Sequence, residues 1–218
     1  MITYKEIVKN EEIRTYISSA DESLKALGFT EHSFAHVSKV AEVAAYILKT
    51  MGYDEHTVEL AKIASYLHDI GNLVNRIEHS QSGAVMAFRI LNAMGMPPKD
   101  IATIVTAIGN HDEGTGVAVD AVAAALILAD KSDVRRSRVR NCDISTFDIH
   151  DRVNYSVEDS RLEIKEGNVI MLTIRIDNEI STVMDYFEIF LGRMVMCRKA
   201  AEKLGLKFRL TINGQQIL

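Results

Sequence analysis

The sequence of 218 residues contains no tryptophan, only two prolines and only two cysteines. The prolines are adjacent, Pro97 and Pro98, so the rest of the chain lacks the residue that interrupts helices, and this favours a chain built mostly of helices. Cys142 and Cys197 are too few and too far apart for a disulfide framework or a zinc knuckle. They are expected to be reduced thiols, which predicts a cytoplasmic location.

Long apolar runs and an excess of positive charge are also missing. No apolar run approaches the roughly 18 to 20 residues needed to cross a bilayer, and the first residues lack the basic segment and apolar stretch of a signal peptide. The net charge of -5 argues against an extensive nucleic-acid surface. The sequence therefore predicts a globular protein without a membrane or a long nucleic acid as partner.

Apolar residues at helical spacing occupy most of the first 144 residues. One predicted helix begins after Thr30 and ends at Gly52, and a second runs from an Asp54 cap to His68 and Asp69. Further helices are expected at about 80–94, from Ile101 to about Gly109 with Asp100 as cap, and from Ala118 to about Val134. The last of these contains AVAAALILAD, which is apolar all round and predicts a helix in the middle of the core.

The pattern changes after residue 144. It predicts a β-hairpin with strands at Arg161 to Lys165 and Val169 to Ile176, joined by a turn at Gly167-Asn168. A long helix at about Ser181 to Lys203 and a closing strand at Lys207 to Ile212 are expected to follow. We therefore expect a mainly α protein, with a helical domain at 1–144 and a small α+β appendage at 145–218. The apolar face of the long helix can pack on the helical domain or form a homodimer, and both alternatives stay open.

Histidine and aspartate residues occur at particular places in this helical scheme. His68 and Asp69 are adjacent at the end of an apolar helix, where both can be directed at one metal ion, and the two carboxylate oxygens can bridge two ions. A surface capping role is the alternative for this dipeptide. His56 and His150 are expected to be exposed polar residues.

His36 and Asp130 extend this observation. His36 lies in a helix whose other inward positions are apolar, and Asp130 ends the most apolar helix, where burying an unpaired carboxylate is costly. A metal ion satisfies both side chains. The alternatives are a satisfied core imidazole for His36 and a salt bridge to Lys131, Arg135 or Arg136 for Asp130.

The order His36, His68-Asp69, Asp130 resembles the pattern of the HD-domain phosphohydrolase superfamily, which is a His, then His-Asp, then a distant Asp. YLHDIGN at 66–72 is similar to the superfamily's LHDIGK, and LILADKSD at 126–133 is similar to its segment around the final Asp. The resemblance covers about residues 30–140. It implies an HD-domain helical bundle and hydrolysis of a phosphoric ester with divalent metal ions.

Members of the superfamily with two metals add two histidines, and His79 and His111 stand in the corresponding intervals. The resemblance therefore implies two divalent ions about 3.5 to 4 Å apart, with six protein ligands: His36, His68, Asp69, His79, His111 and Asp130. His79 and His111 can instead line the pocket and bind substrate without touching metal. A shell of imidazoles and carboxylates without thiolate favours Fe or Mn, with Zn, Co, Ni or Mg as alternatives.

His32 and Asp112 are a further pair of candidates. His32 lies four residues before His36 and is therefore expected on the same helical face. Some trinuclear relatives with cyclic dinucleotide phosphodiesterase activity carry a Glu at the first place and a second His at the place of Asp112. These two residues can hold a third ion, or they can face solvent or substrate.

Five basic residues follow the last predicted ligand: Lys131, Arg135, Arg136, Arg138 and Arg140. Arg135 and Arg138 are candidates to bind phosphate oxygens, whereas the alternative for the arginines is that they complement the helix dipole and stay solvated. Lys131 is a catalytic candidate together with His68 and Asp69. Because the superfamily also has a Lys at this place, its role can instead be structural.

The expected function is hydrolysis of a phosphoester or phosphoanhydride by a metal-activated hydroxide, with a nucleotide favoured as substrate. The alternatives are a non-catalytic metal-binding regulatory module and a di-iron oxygenase of HD type. Departures from relatives leave the substrate open. Asn72 replaces the superfamily's Lys after His-Asp-x-Gly, and the Gly-Tyr-Pro signature of cyclic di-GMP phosphodiesterases is absent. Diadenosine tetraphosphate hydrolases have a similar ligand order but are shorter and lack such a tail.

Overall fold

The computed structural model describes residues 2–218. Its helices are α1 (Tyr4–Lys9), α2 (Glu11–Ala26), α3 (Phe34–Thr50), α4 (Glu55–Leu67), α5 (His79–Ala93), α6 (Pro98–Gly109), α7 (Ala121–Ser132), α8 (Ile149–Ser156) and α9 (Val183–Lys203). Its strands are β1 (Val157–Lys165), β2 (Val169–Ile176), β3 (Lys207–Ile212) and β4 (Gln215–Gln216). Short 3-10 turns lie at Ile70–Leu73, Arg136–Arg138 and Ile144–Thr146.

Helix α7 is the central helix of the N-terminal part. The side chains from Val122 to Ala129 are all buried, because every residue between Asp120 and Asp130 is apolar. Helix α7 contacts α3, α4, α6 and α9, as expected for a helix that is apolar on every face. The predicted mainly α fold with a helical bundle is confirmed.

Helix α2 covers the segment that follows His68 and Asp69. Its buried residues Ile13, Ile17 and Leu24 recur at helical spacing and form one apolar face. Helix α2 contacts the 3-10 turn at Ile70–Leu73. The packing of α2 therefore restrains the turn that directs the adjacent histidine and aspartate.

Two of the predicted helix starts are wrong. Helix α6 begins at Pro98, because the fixed φ of proline suits the first helical position. Asp100 therefore lies inside the first turn and pairs with Nε2 of His56 at 2.9 Å instead of capping the helix. Helix α7 begins at Ala121 and not at Ala118, because the side chain of Asp120 caps it.

The C-terminal part contains a four-stranded sheet in the order β1-β2-β3-β4 within residues 2–218. Strands β1 and β2 form the predicted antiparallel hairpin, and Gly167 and Asn168 in its turn have φ of 79° and 58°. Helix α9 crosses over to β3, which pairs parallel with β2. The predicted hairpin, long helix and closing strand are confirmed, whereas α8 and β4 were not predicted.

One buried apolar cluster runs through both parts of the chain. Helix α9 contacts α7, and its residues Phe190, Met194 and Cys197 are buried. The apolar face of α9 thus packs on the helical bundle, which is one of the two roles expected for it. The boundary between 144 and 145 and the homodimer stay predictions. Within residues 2–218 no helix is long and apolar enough to span a membrane.

Gly71 generates a test of this packing. It lies in the turn after Asp69, where an added Cβ would overlap the carbonyl oxygen of His79 and the amide nitrogen of Gly83. We expect Gly71→Ala to lower the free energy of unfolding by about 1–3 kcal/mol or more, since backbone atoms must move. Gly192→Ala is the control, because its Cβ in α9 meets nothing within 4 Å.

The control is expected to raise the free energy of unfolding by about 0.5–1 kcal/mol, because alanine is the better helix former. Urea denaturation measures both changes. A Gly71→Ala variant as stable as the wild type would contradict the close packing of α5 on this turn.

Candidate metal centre

The six predicted metal ligands meet in one cluster where helices α3 to α7 come together. Each stands at a helix end or in a terminal turn: His36 in the first turn of α3, His68 and Asp69 directly after α4, His79 at the start of α5, His111 after α6, and Asp130 in the last turn of α7. Their burial is nearly complete, and the most exposed side chain, Asp130, is 12% exposed. The helix termini therefore converge on a space that water hardly reaches.

Asp69 lies at the middle of this cluster. Its Oδ2 is 3.5 Å from Nε2 of His36 and 3.1 Å from Nε2 of His68. Its Oδ1 is 3.5 Å from Nε2 of His79 and 3.9 Å from Nε2 of His111. The two oxygens of one carboxylate thus face two different pairs of imidazoles.

Asp130 completes the side of the cluster that contains His36 and His68. Its Oδ1 is 3.3 Å from Nε2 of His36 and 3.6 Å from Nε2 of His68. On the other side, the Nε2 atoms of His79 and His111 are 3.2 Å apart. Atoms that bind one ion at about 2.0–2.2 Å lie roughly 3 to 3.5 Å from each other, so these spacings suit ligands around shared cations.

The outward nitrogens of the imidazoles are occupied by hydrogen bonds. Nδ1 of His68 and Nδ1 of His111 lie 2.7 and 2.6 Å from the carbonyl oxygens of Ser65 and Ile108. Nδ1 of His79 lies 3.0 Å from the carbonyl of the residue three positions earlier. A carbonyl accepts only from N–H, so Nδ1 of these imidazoles carries a proton, and Nε2 is the nitrogen directed into the cluster, where it could bind a metal ion once deprotonated.

His36 is held by a carboxylate that the sequence analysis missed. Asp133 is buried, and its Oδ2 lies 2.8 Å from Nδ1 of His36. Lys39 and Arg135 approach Oδ1 of Asp133 at 2.9 and 3.0 Å. Burial opposes the ionisation of Asp133, but the hydrogen bond from His36 and the nearby cations outweigh it and hold the pKa of this carboxyl far below its ordinary value. The signal in the sequence that could have identified Asp133 is its position three residues after Asp130.

Asn72 replaces the superfamily's Lys and orients Asp69. Its Nδ2 donates to the backbone oxygen of Asp69 at 2.9 Å and to Oδ1 of Asp69 at 3.0 Å. Arg76, one turn later, places Nη1 at 3.3 Å from Oδ1 of Asn72 and from Nε2 of His79. A guanidinium from a residue that the motif did not indicate thus lies beside the cluster.

The cluster is strongly charged. Burial raises the pKa of the Asp69 carboxyl, but the nearby charge of His68 outweighs it and holds that pKa well below the ordinary range. Burial and Lys131 have the same opposing effects on the pKa of Asp130, which is also held well below the ordinary range. Burial lowers the pKa of His68, yet these two carboxylates outweigh it and raise that pKa to about 10. Burial lowers the pKa of His111 well below its ordinary value. Two ionised carboxylates therefore stand in a buried place that favours a cation.

The residues present fit divalent metal ions. Within the described chain, Nε2 of His36 and Nε2 of His68 are buried and have no hydrogen-bond partner. Two overlapping groups of ligand atoms are compact enough to hold an ion, namely His36, His68 and Asp130, and His68, Asp69 and His111. Imidazole and carboxylate donors without thiolate suit first-row divalent metals.

Two further predicted residues, Lys131 and His32, lie near the six-residue cluster in different ways. Nζ of Lys131 lies 2.8 Å from Oδ2 of Asp130 and 3.4 Å from Oε1 of Glu113. His32 precedes the Ser33 cap of α3, so the prediction that it shares a helical face with His36 is wrong. It nevertheless lines the narrow polar space beside the cluster.

Asp112 lies at the edge of the cluster, with Oδ1 at 3.9 Å from Nε2 of His79.

The two arginines predicted to bind phosphate differ in position, because Arg138 lines the narrow polar space and Arg135 does not. Arg138 is buried, donates to the carbonyl oxygens of Glu31 and Asp133, and lines the same space.

The guanidinium of Arg135 is engaged elsewhere. Its nitrogens donate to Asp133, Ser137 and Glu31. Arg135 thus supports Asp133 and does not line the polar space, and its binding to substrate stays a prediction. Arg136 donates to the carbonyl of Tyr155 and Arg140 pairs with Asp21, which matches a structural role for both.

A cavity of about 350 Å³ adjoins the cluster through a narrow polar space of about 20 Å³. Four side chains line both: His32, Arg76, Arg138 and Arg193. Helix α8 contributes Asp151 and Asn154 to the larger cavity, its N-cap contributes Asp148, and α9 contributes Arg193. The cavity thus connects the candidate ligands with the C-terminal part of the chain.

Comparison with known proteins identifies the class. The family model of the HD domain matches residues 33–152, more than half of the chain, so the chain belongs to the HD-domain family. This places it in the metal-dependent phosphohydrolase superfamily that the resemblance implied.

Two relatives are similar over most of their length. An uncharacterized protein of Methanocaldococcus jannaschii is 29% identical over an alignment of 203 positions, and the match covers 81% of this chain and 76% of that protein. A crystal structure of a predicted HD superfamily hydrolase from an uncultured Thermotogales bacterium is 25% identical, with a TM-score of 0.45, and the match covers 62% of this chain and 75% of that one.

Variants of single ligands test the arrangement around Asp69. We expect Asp69→Ala to lose all bound metal, because this carboxylate faces both groups of imidazoles. His36 and His111 lie on opposite sides of Asp69, so we expect His36→Ala and His111→Ala each to lose part of the bound metal and not all of it. Elemental analysis of dialysed protein gives the metal content per chain.

His56→Ala is the matched control, because His56 lies outside the cluster and should leave the metal content unchanged. If Asp69→Ala kept the metal content of the wild type, the arrangement inferred from these distances would be wrong.

Proposed function

We propose that the protein is a phosphohydrolase that uses two divalent metal ions, Fe or Mn favoured, to cleave a phosphoester of a nucleotide. The observation that carries this proposal is the position of Asp69, whose oxygens face separate pairs of imidazoles beside an arginine-lined cavity. Membership of the HD family supports the coarser statement, a metal-dependent phosphohydrolase.

In this proposal the six ligands divide around one shared carboxylate. His36, His68 and Asp130 would hold one ion, His79 and His111 would hold the other, and Asp69 would contact both. When bound, two such ions supply an activated water and positive charge for the phosphoryl oxygens of the transition state. The hydrogen bonds from Asn72 to Asp69 keep its two oxygens directed at opposite sides of the cluster.

Lys131 acts on the charge of the site and not as a base. Burial lowers the pKa of its ammonium, but Asp130 and Glu113 outweigh this and raise the pKa above its ordinary value. Lys131 therefore stays protonated at neutral pH and cannot accept a proton from water. Its contact with Oδ2 of Asp130 leaves Oδ1 directed at His36 and His68. We assign it to positioning Asp130.

Arg76 and Arg138 are the residues that we propose for phosphate binding in the helical part. Both line the narrow polar space beside Asp69 and His79. Guanidinium groups bind phosphoryl oxygens through paired N–H donors and hold their charge at every physiological pH. Arg138 is fixed by its bonds to two backbone carbonyls, which keeps it in place without a ligand.

The larger cavity supports a nucleoside as the remainder of the substrate. Its volume of about 350 Å³ is in the range of small-molecule sites, and it lies on the far side of the arginines from the metal ligands. Phe29 offers an aromatic face, and Asn154 and Asp148 offer hydrogen-bonding groups. A phosphate at the metals would thus leave the nucleoside in this cavity.

The test is hydrolysis by protein loaded separately with Mn, Fe, Co or Ni. We expect release of phosphate from nucleoside monophosphates or cleavage of bis(p-nitrophenyl) phosphate, and loss of this activity in Asp69→Ala. His56→Ala should retain the activity of the wild type, because it leaves the cluster intact.

A protein that binds its full complement of metal but hydrolyses no phosphoester with any of these ions would contradict the proposal. That result would favour the metal-binding regulatory module. Consumption of oxygen by the iron-loaded protein in place of hydrolysis would instead favour the oxygenase.

A further inference from the structure

Arg193 belongs to the C-terminal part of the chain but faces the candidate metal centre. It lies near the middle of α9, outside residues 33–152 that the HD family model matches. Arg193 lines the narrow polar space together with Asp69 and Asp130, and it also lines the larger cavity. The sequence pattern of the HD domain therefore does not explain an arginine at position 193, whereas its position beside the candidate metal centre does.

The guanidinium of Arg193 is held in place from two sides. Its Nε lies 2.6 Å from Oε1 of Glu113, and its Cζ lies 4.3 Å from the ring centroid of Phe190. Oε1 of Glu113 is also 3.4 Å from Nζ of Lys131, which in turn contacts Asp130. Because the ion pair uses Nε, the terminal nitrogens Nη1 and Nη2 are available for a ligand.

The anchor Glu113 lies between two cations, because its Oε1 contacts both Nε of Arg193 and Nζ of Lys131. The side chain of Arg193 is 24% exposed, so its charge is only partly screened by solvent. An arginine fixed at one edge, with its other edge beside a metal site, has the arrangement that binds a phosphoryl group through paired N–H donors.

We propose that Arg193 binds the phosphoryl group of the substrate, so that the C-terminal part of the chain supplies a residue to the active site. This inference rests on the proposed function for the identity of the ligand. Arg76 comes from the turn before α5 and Arg193 from α9, so the phosphoryl group is contacted by both parts of the chain. The C-terminal part then completes the site and is not a separate accessory.

Binding of inorganic phosphate to the metal-loaded protein tests this inference without turnover. Arg193→Met keeps a long unbranched side chain at this position and removes the charged guanidinium that lies over the ring of Phe190. We expect the Kd for phosphate, followed by ³¹P line broadening on Mn-loaded protein, to rise by roughly tenfold or more, with unchanged metal content and urea midpoint. Arg193→Lys should lose less, because it keeps the charge without the paired donors.

Arg198→Met is the matched control, since Arg198 is an exposed arginine on the same helix. It should bind phosphate as the wild type does. Equal phosphate binding by Arg193→Met and Arg198→Met would overturn the inference, as would a metal-loaded wild type that binds no phosphate at millimolar concentration.

If Arg193→Met lost metal or stability, phosphate binding by Arg193→Lys would decide. Phosphate binding by Arg193→Lys as tight as that by Arg198→Met would then also overturn the inference. A wild type that binds phosphate through Arg193 but hydrolyses no ester would contradict the proposed function alone.

Discussion

The structure depends on the burial of one carboxylate, Asp69, among four imidazoles. An ionised carboxylate in the interior is costly unless cations or N–H donors surround it. The chain ends or starts five helices at this place, so that His36, His68, His79 and His111 all present Nε2 around Asp69, where a metal ion would supply the positive charge. The apolar helix α7 supplies the second carboxylate, Asp130, at its last turn.

Most of this arrangement follows from a few local rules. The C-terminal end of a helix leaves backbone carbonyls unpaired, and His68 and His111 use such a carbonyl three residues earlier to fix Nδ1. His79 uses the carbonyl of Arg76 in the turn before α5. The close approach of α5 to Gly71 brings His79 to the turn that carries Asp69. Lys131 and Asp133 then adjust the charge around Asp130 and His36. Each ligand is therefore positioned by backbone contacts near it in sequence and by one or two charges.

Local signals allowed the helices and the candidates His68, Asp69 and Asp130 to be predicted. The full set of six residues followed from the resemblance to members of the superfamily with two metals. Apolar periodicity marks a helix, and a His-Asp pair beside a glycine marks a helix end. The predictions failed where a competing local signal was stronger, as with Pro98 against Asp100 at the start of α6. The predictions did not include contacts between residues distant in the chain, such as that of Asp133 with His36 or the position of Arg193 at the polar space. Nothing in a basic cluster distinguishes Arg138, which reaches that space, from Arg135, which pairs with Asp133 and Glu31.

We propose that Asp69 is shared between two cations. Electron paramagnetic resonance of the Mn-loaded protein tests it most directly, because two Mn²⁺ ions bridged by one carboxylate are magnetically coupled. We expect the spectrum of a coupled pair at full occupancy. A spectrum of isolated Mn²⁺ at full occupancy, with one ion per chain, would contradict the account.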